Sequence, residues 1–410
     1  MRPYLLRIVL VAASFLGTQA PPAAIPHGSK PQNAARPSAG DAGDYIYISG
    51  QSGRRPDGAL PDKFEEQASQ ALENIKTVAQ SFGLDMHHIV YMQVYLEDVN
   101  NSEKLNAVLA KYFPGSPPAG AILGVSRVPQ SGIEINAAAV RDVTGLKAVA
   151  PSGFKSRAPF SPGVLTHDRL FISAMQGLDP GTGKVPDDPA AQTDLALDGF
   201  KAVVEAAGLT LGHVVFVNPY LTEKIPSRVM NERYARRFEF GNTPARATIE
   251  VTTLPHNAQI EYTGVAVRDL SLRRAVRPKN MPPSPTASPC VFAGETLYCS
   301  AKSGFIPGPH GGVYGATTAA QLRQTMRNQL DNLEEADMDF SQVVSTTVYL
   351  DDLSDSDAFN KVYSEYFKDR LPAQTVVQQL PPATRSSDQQ EHFPDLEQMS
   401  LIAVRPHPKN

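Results

Sequence analysis

The feature that most constrains this chain is that it writes one domain-sized segment three times. Residues 64–120 align with residues 318–374 without a gap at a constant offset of 254, and residues 67–113 align with residues 192–238 at an offset of 125. The middle copy needs one-residue insertions to stay in register through its C-terminal strands. A period near 125 residues is the size of a domain rather than of a solenoid module. Each copy has the same grammar. An apolar run ends in a serine step ("YIYISGQ", "LFISAMQ", "LYCSAKS"), and a turn and an amphipathic helix follow. In the first copy Phe64, Ala68, Leu72, Ile75, Val78 and Phe82 fall on one face of that helix. Gly83 and Gly208 suit a left-handed stop after it, where the third copy has Asp337.

Next come the strands "IVYMQVYL", "VVFVNPYL" and "VVSTTVYL", then a second helix holding Asn106, Asn231 or Asn360. A Pro-Ala strand and a last strand, "IEINAAAV" or "IEYTGVAV", close the unit. Helices interleaved with hairpin-linked strands predict an α+β fold, a sheet covered by helices on one face. The expected domains are repeats at 44–142, 166–268 and 289–406, joined by Pro-, Ser- and Arg-rich linkers at 143–165 and 269–288.

Ahead of the repeats, Arg2 and Arg7 precede an apolar stretch from Ile8 to Gly17, too short to span a bilayer and shaped like a secretory signal. Residues 1–24 are therefore expected to be a signal peptide and 25–43 a disordered linker, placing the processed chain in the periplasm or outside the cell, away from the membrane. Net charge is −4, so there is no excess of Lys and Arg to neutralise a phosphate backbone, and nucleic acid is not an expected partner. The two cysteines, Cys290 and Cys299, flank a candidate hairpin turn at Gly294-Glu295. A disulfide across that hairpin and two buried free thiols both fit. The stretch "GTGK" lacks Walker spacing and a following Ser or Thr, and reads as a turn.

The serine step after a hairpin, the Gln-x6-Asn helix, the helix asparagine, Pro-Ala-Arg and the closing Ile-Glu strand together resemble the RidA (YjgF-type) family, and the resemblance covers almost all of the chain beyond the leader. It implies chorismate-mutase-like α+β units, each a mixed sheet covered by two helices, assembling as a trimer with ligand clefts between neighbours. Three covalently joined units then form an intramolecular pseudo-trimer, a monomeric chain whose assembly does not depend on dilution. The resemblance also implies hydrolysis of small 2-imino or enamino acids to 2-keto acids, with no metal or cofactor.

Only the middle copy has Pro-Ala-Arg: Arg246 faces Gly120 in the first copy and Gln374 in the third. A planar guanidinium suits a substrate carboxylate because it offers two parallel charge-assisted hydrogen bonds. By the resemblance, Arg246 is the carboxylate clamp and Glu261 orients or activates water. Ser173, Ala174, Asn231, Thr248 and Phe160 line the same pocket. Ala174 replaces the family's glycine, Phe160 a common tyrosine, and Thr248 a position often held by cysteine. The plain alternatives are a surface arginine and a structural ion pair between Arg246 and Glu261. The competing functions are a non-catalytic carboxylate-binding or protein-interaction scaffold and, third, an endoribonuclease. Which neighbouring repeat completes the Arg246 cleft is not readable from the sequence.

Overall fold

A computed structural model of the chain describes residues 38–154, 159–279, 281–308, 312–367, 370–388 and 392–405. The expected signal peptide and most of the linker at 25–43 lie outside these residues. The first repeat contains β1 (Ala39–Asp41), β2 (Tyr45–Ser52), α1 (Phe64–Ser81), β3 (Ile89–Leu96), α2 (Ser102–Tyr112), β4 (Ala119–Gly124) and β5 (Ile133–Val140). The second contains β6 (Lys147–Val149), β7 (Gly163–Leu165), β8 (Arg169–Gln176), α3 (Pro189–Ala206), β9 (Val214–Leu221), α4 (Ser227–Ala235), β10 (Ala245–Arg246), β11 (Ile249–Glu250) and β12 (Ile260–Val267). The third contains β13 (Arg273–Val276), β14 (Cys290–Ala293), β15 (Thr296–Ser303), α5 (Thr318–Glu335), β16 (Val343–Leu350), α6 (Ser356–Tyr366), β17 (Ala373–Gln378) and β18 (Glu397–Val404).

Each repeat makes one mixed sheet. In the first the strand order is β1-β2-β5-β3-β4, with β3 and β4 parallel and the other pairs antiparallel. The periodic faces of the helices pack on one side of each sheet. Leu72, Ile75 and Leu105 do so in the first repeat, Leu197 and Phe200 in the second, and Leu322, Met326 and Phe359 in the third. The opposite sheet faces meet one another. Tyr45 and Val90, Phe171 and Val265, and Val291 and Tyr298, two from each repeat, share one buried cluster, and Tyr95, Tyr220 and Tyr349 share a second. An intramolecular pseudo-trimer of α+β units is thus what the chain forms, because each sheet has two apolar faces and its own helices cover only one.

The segments at 143–165 and 269–288, expected as linkers, are partly strand: β6 and β7 extend the second sheet and β13 extends the third, while β1 occupies part of the expected disordered span 25–43. Pairing with an open sheet edge supplies partners for backbone groups that proline-rich composition would leave in water. Cys290 and Cys299 are directly opposite each other on β14 and β15 and are disulfide-bonded.

Candidate functional site

The serine steps form the seams between repeats. The Ser173 hydroxyl accepts from the Gly120 backbone N–H at 2.8 Å, and Ser300 and Ser49 do the same for the N–H groups of Arg246 at 2.8 Å and Gln374 at 3.1 Å. Ser173 and Ser300 donate in turn to the carbonyls of Ser161 and Ser288. The Pro-Ala strand of one repeat therefore docks on the serine strand of the next, and the third closes on the first.

At the seam between the second and third repeats stands Arg246. Its guanidinium donates from Nη1 to Asn231 Oδ1 at 2.8 Å, contacts Met230 Sδ at 3.7 Å and lies 5.0 Å over the Tyr234 ring. Asn231 and Tyr234 sit on α4, one turn of helix apart on the same face, which is why the helix asparagine and the strand arginine meet. Among the described residues no carboxylate lies within ion-pair distance of Arg246, and desolvation pulls its pKa down from the ordinary arginine value. Thr248, two residues on, has a buried hydroxyl with no hydrogen-bond partner. On the facing strand, Lys302 is two residues beyond Ser300; burial lowers its pKa, and it too makes no ion pair among the described residues.

Glu261 is not in that seam. It lines the cleft between the first and second repeats, together with Ser173, Ala174, Phe160, Asn106 and Gly120. Pairing explains the separation: Arg246 is opposite Val217 on β9 whereas Glu261 is opposite Tyr220, three residues further along and on the other side of the strand. In a pleated strand an odd offset also turns the two side chains to opposite faces. The expected single pocket of Arg246, Glu261, Ser173, Ala174, Asn231, Thr248 and Phe160 is thus corrected. Arg246, Asn231 and Thr248 serve the seam with the third repeat, and Glu261, Ser173, Ala174 and Phe160 serve the seam with the first.

The register shows what completes each seam. Glu134, Glu261 and Gln398 are opposite Tyr95, Tyr220 and Tyr349, so the third repeat carries glutamine at the acid's position. Its own glutamate, Glu397, pairs with Leu350 as Ile260 pairs with Leu221, and is held by the Thr325 hydroxyl of α5. No seam then joins the arginine to the acid: Gly120 goes with Glu261, Arg246 with Gln398 and Gln374 with Glu134. Sequence reasoning did not single out Gln398, although "EQMSLIAV" and "IEYTGVAV" already place it at the position of Glu261 through their shared Ala-Val end.

Burial drives the Glu261 carboxyl up to about 8, opposed by the hydrogen bond it accepts from Gln176 Nε2 at 3.0 Å. Its second oxygen has no hydrogen-bond partner. At Gly120 an added Cβ would come within 2.8 Å of the Phe160 ring, so Phe160 takes up space that a side chain occupies in the other seams.

Three α+β units closed into a ring, with a cleft at the seam between the first and second, define a single-chain protein of trimer-like architecture. A family model described as Endoribonuclease L-PSP matches residues 29–141, 150–268 and 280–384, and the chain belongs to that family. The resemblance to RidA is borne out by a 2-iminobutanoate/2-iminopropanoate deaminase of Escherichia coli K12, 37% identical over 112 residues, 27% of this chain and 88% of the relative. A RutC family protein of Pyrococcus horikoshii is 36% identical over 116 residues, 28% of this chain and 91% of the relative. Among solved structures, a chorismatase at 12% identity covers 78% of this chain and 93% of its own with a TM-score of 0.52, a likeness of fold alone.

Proposed function

We propose that the chain deaminates small 2-imino or 2-enamino acids by hydrolysis in the seam between the second and third repeats, with Arg246 clamping the substrate carboxylate. The relatives named as imine deaminases support the reaction class. The observation that carries the site is a half-buried guanidinium, aimed by Asn231 and stacked on Tyr234, with no carboxylate to neutralise it among the described residues. A charge held out of water in this way gains most from an anionic ligand. An imine carbon is electrophilic enough for water to attack once the substrate is held, and a neutral amide at Gln398 can accept a hydrogen bond from that water but cannot take its proton. The catalyst is therefore slow relative to a seam containing both groups.

A second reading is favoured by that same missing acid: a binding module for small carboxylates that performs no chemistry. A coupled assay separates the two, generating 2-iminobutanoate with an amino-acid oxidase and following keto-acid release. Acceleration by the wild-type chain and its loss in Arg246→Ala supports the deaminase; equal release with both proteins rejects it. Binding of 2-oxobutanoate that needs Arg246 but brings no acceleration selects the module. Hydrogen bonds to a charged group contribute about 1.5–3 kcal/mol, so Arg246→Ala should weaken carboxylate binding by about one to two orders of magnitude. We further propose export, which the Cys290–Cys299 bond supports because oxidising compartments preserve such bonds.

A further inference from the structure

The cleft between the first and second repeats has a volume of about 680 Å³, the size of a small-molecule site, and plays no part in the Arg246 reading. Its recognition chemistry runs the other way. Among the described residues, the charged side chains along its wall are Glu103, Asp179, Asp198 and Glu261, and none of the described lining residues is a lysine or arginine. Phe160, Leu178 and Met175 give it an apolar body, and the guanidinium of the neighbouring seam has Gly120 as its counterpart.

Two observations keep this from being a mere cluster of acids. Glu261 is only 1% exposed and has one carboxyl oxygen without a hydrogen-bond partner, in a cleft that it lines. A buried acceptor left unmade is costly, so a donor brought by a ligand would be strongly favoured there. The second observation is a set of replacements between corresponding positions of the two seams. Glu103 corresponds to Arg228, Gly120 to Arg246, Met175 to Lys302, Asp198 to Arg327, and Glu261 to Gln398. All five change towards positive charge in the second seam and away from it in the first.

We propose that the cleft between the first and second repeats binds an organic ammonium ion with an apolar body, with the buried Glu261 as its counter-ion and Phe160 in its wall. The titratable groups around the cleft are Tyr220, opposite Glu261 on the paired strand, Tyr91, which senses the Glu261 charge, and, among the described lining residues, His256 in the turn that follows β11, Asp179 beyond β8, Asp198 on α3 and Glu103 on α2. Asp198 is also paired with Arg237 at 2.6 Å, and His256 Nδ1 lies 2.8 Å from Gln176 Oε1, the amide that holds Glu261. His256 and Asn257 adopt left-handed backbone with φ of 61° and 58°, a conformation that places the histidine ring against this amide. An ammonium ion adjacent to Glu261 favours its ionised form, so affinity rises with pH until the amine itself loses its proton.

The test is calorimetric titration of the full chain with phenethylammonium, and with 3-phenylpropionate as the oppositely charged analogue. The expected result is saturable binding of the amine, at least tenfold tighter at pH 8.5 than at pH 6, and at least tenfold tighter than the carboxylate in this cleft. Glu261→Gln should lose tenfold or more, and Glu103→Lys, on the exposed first turn of α2, severalfold. Arg246→Ala should leave amine binding unchanged, which separates this outcome from any failure of the deaminase reading. Absence of amine binding, a flat pH profile with the wild-type chain, or full affinity in a folded Glu261→Gln protein would overturn the proposal. The wild-type pH profile decides even where a variant does not fold.

Discussion

Arg246 and Glu261 lie fifteen residues apart in the same repeat and serve different seams. At this scale the chemistry is set by single positions that the register makes comparable. Gln398 is the position that separates the Arg246 seam from one holding both clamp and acid, so Gln398→Glu should raise imine hydrolysis about tenfold or more, since a placed acid–base group typically contributes about 10²–10⁴. The coupled keto-acid assay reads it directly. Building a guanidinium into the other seam is a different matter: Gly120→Arg drives its side chain at Phe160 and should lower the melting temperature without creating carboxylate binding.

The buried acids also set a pH dependence. Burial raises Glu397 to about 8, with Asp395 adding to the rise and the Thr325 hydroxyl opposing it. A carboxyl whose folded pKa lies above its unfolded value of about 4.3 is most favourable below that value, and its contribution is lost as pH climbs towards 8. Glu397→Gln should therefore leave the melting temperature near pH 4 little changed and raise it at pH 8 and above, as scanning calorimetry across that range would show.

At the scale of elements, the three long helices end in the same way with different residues. Gly83 and Gly208 take φ of 74° and 76° after α1 and α3, and Asp337 takes 56° after α5. A left-handed conformation carries a penalty for a side chain of about 1 kcal/mol that glycine avoids. Asp337→Gly should therefore raise unfolding free energy by about 0.5–1 kcal/mol in urea denaturation, because only the third helix lacks its glycine. The helices, the sheet strands and the threefold repeat were legible in the sequence because apolar periodicity and a constant offset speak directly to which faces are buried. The edge strands β1, β6, β7 and β13 were not. Their Pro- and Arg-rich surroundings resemble tethers, and an edge strand is fixed by the sheet it joins rather than by its own residues. The split site was hidden for a related reason. In β18 the register sets Gln398 opposite Tyr349, where Glu261 stands opposite Tyr220, and leaves Glu397 to pack with α5. Motif matching within one repeat also assigns all residues to one pocket, although the seams draw on two.

At the scale of the whole molecule, the ring is held where the three sheets meet. Tyr95 and Tyr349 share a hydrogen bond of 3.0 Å, and Gln93 donates to Tyr220 at 2.5 Å, so each repeat contributes a polar atom to the same buried network. Towards one end of the axis, Arg169 of the second repeat donates to Tyr298 at 2.9 Å and Thr296 at 2.8 Å in the third. Its guanidinium lies 4.3 Å over Tyr45 of the first repeat and its Nε is 3.2 Å from Asp168 Oδ2. Tyr45 in turn donates to Asp168 at 2.5 Å. One buried cation thus engages all three repeats, and removing it takes the counter-charge from Asp168 and a donor from the Tyr298 and Thr296 hydroxyls. Breaking a buried charge pair in this way typically costs about 3–5 kcal/mol. Arg169→Ala should accordingly unfold at lower denaturant concentration by an amount in that range. Its urea transition should also broaden or divide, because the repeats would lose the contact that couples them while each keeps its own helix-covered core. Tyr45→Phe, which keeps the ring beneath the guanidinium and deletes only the hydroxyl, should cost less and leave a single transition. If Arg169→Ala instead melts as one cooperative unit at the wild-type midpoint, the coupling of the three repeats resides in the apolar clusters alone.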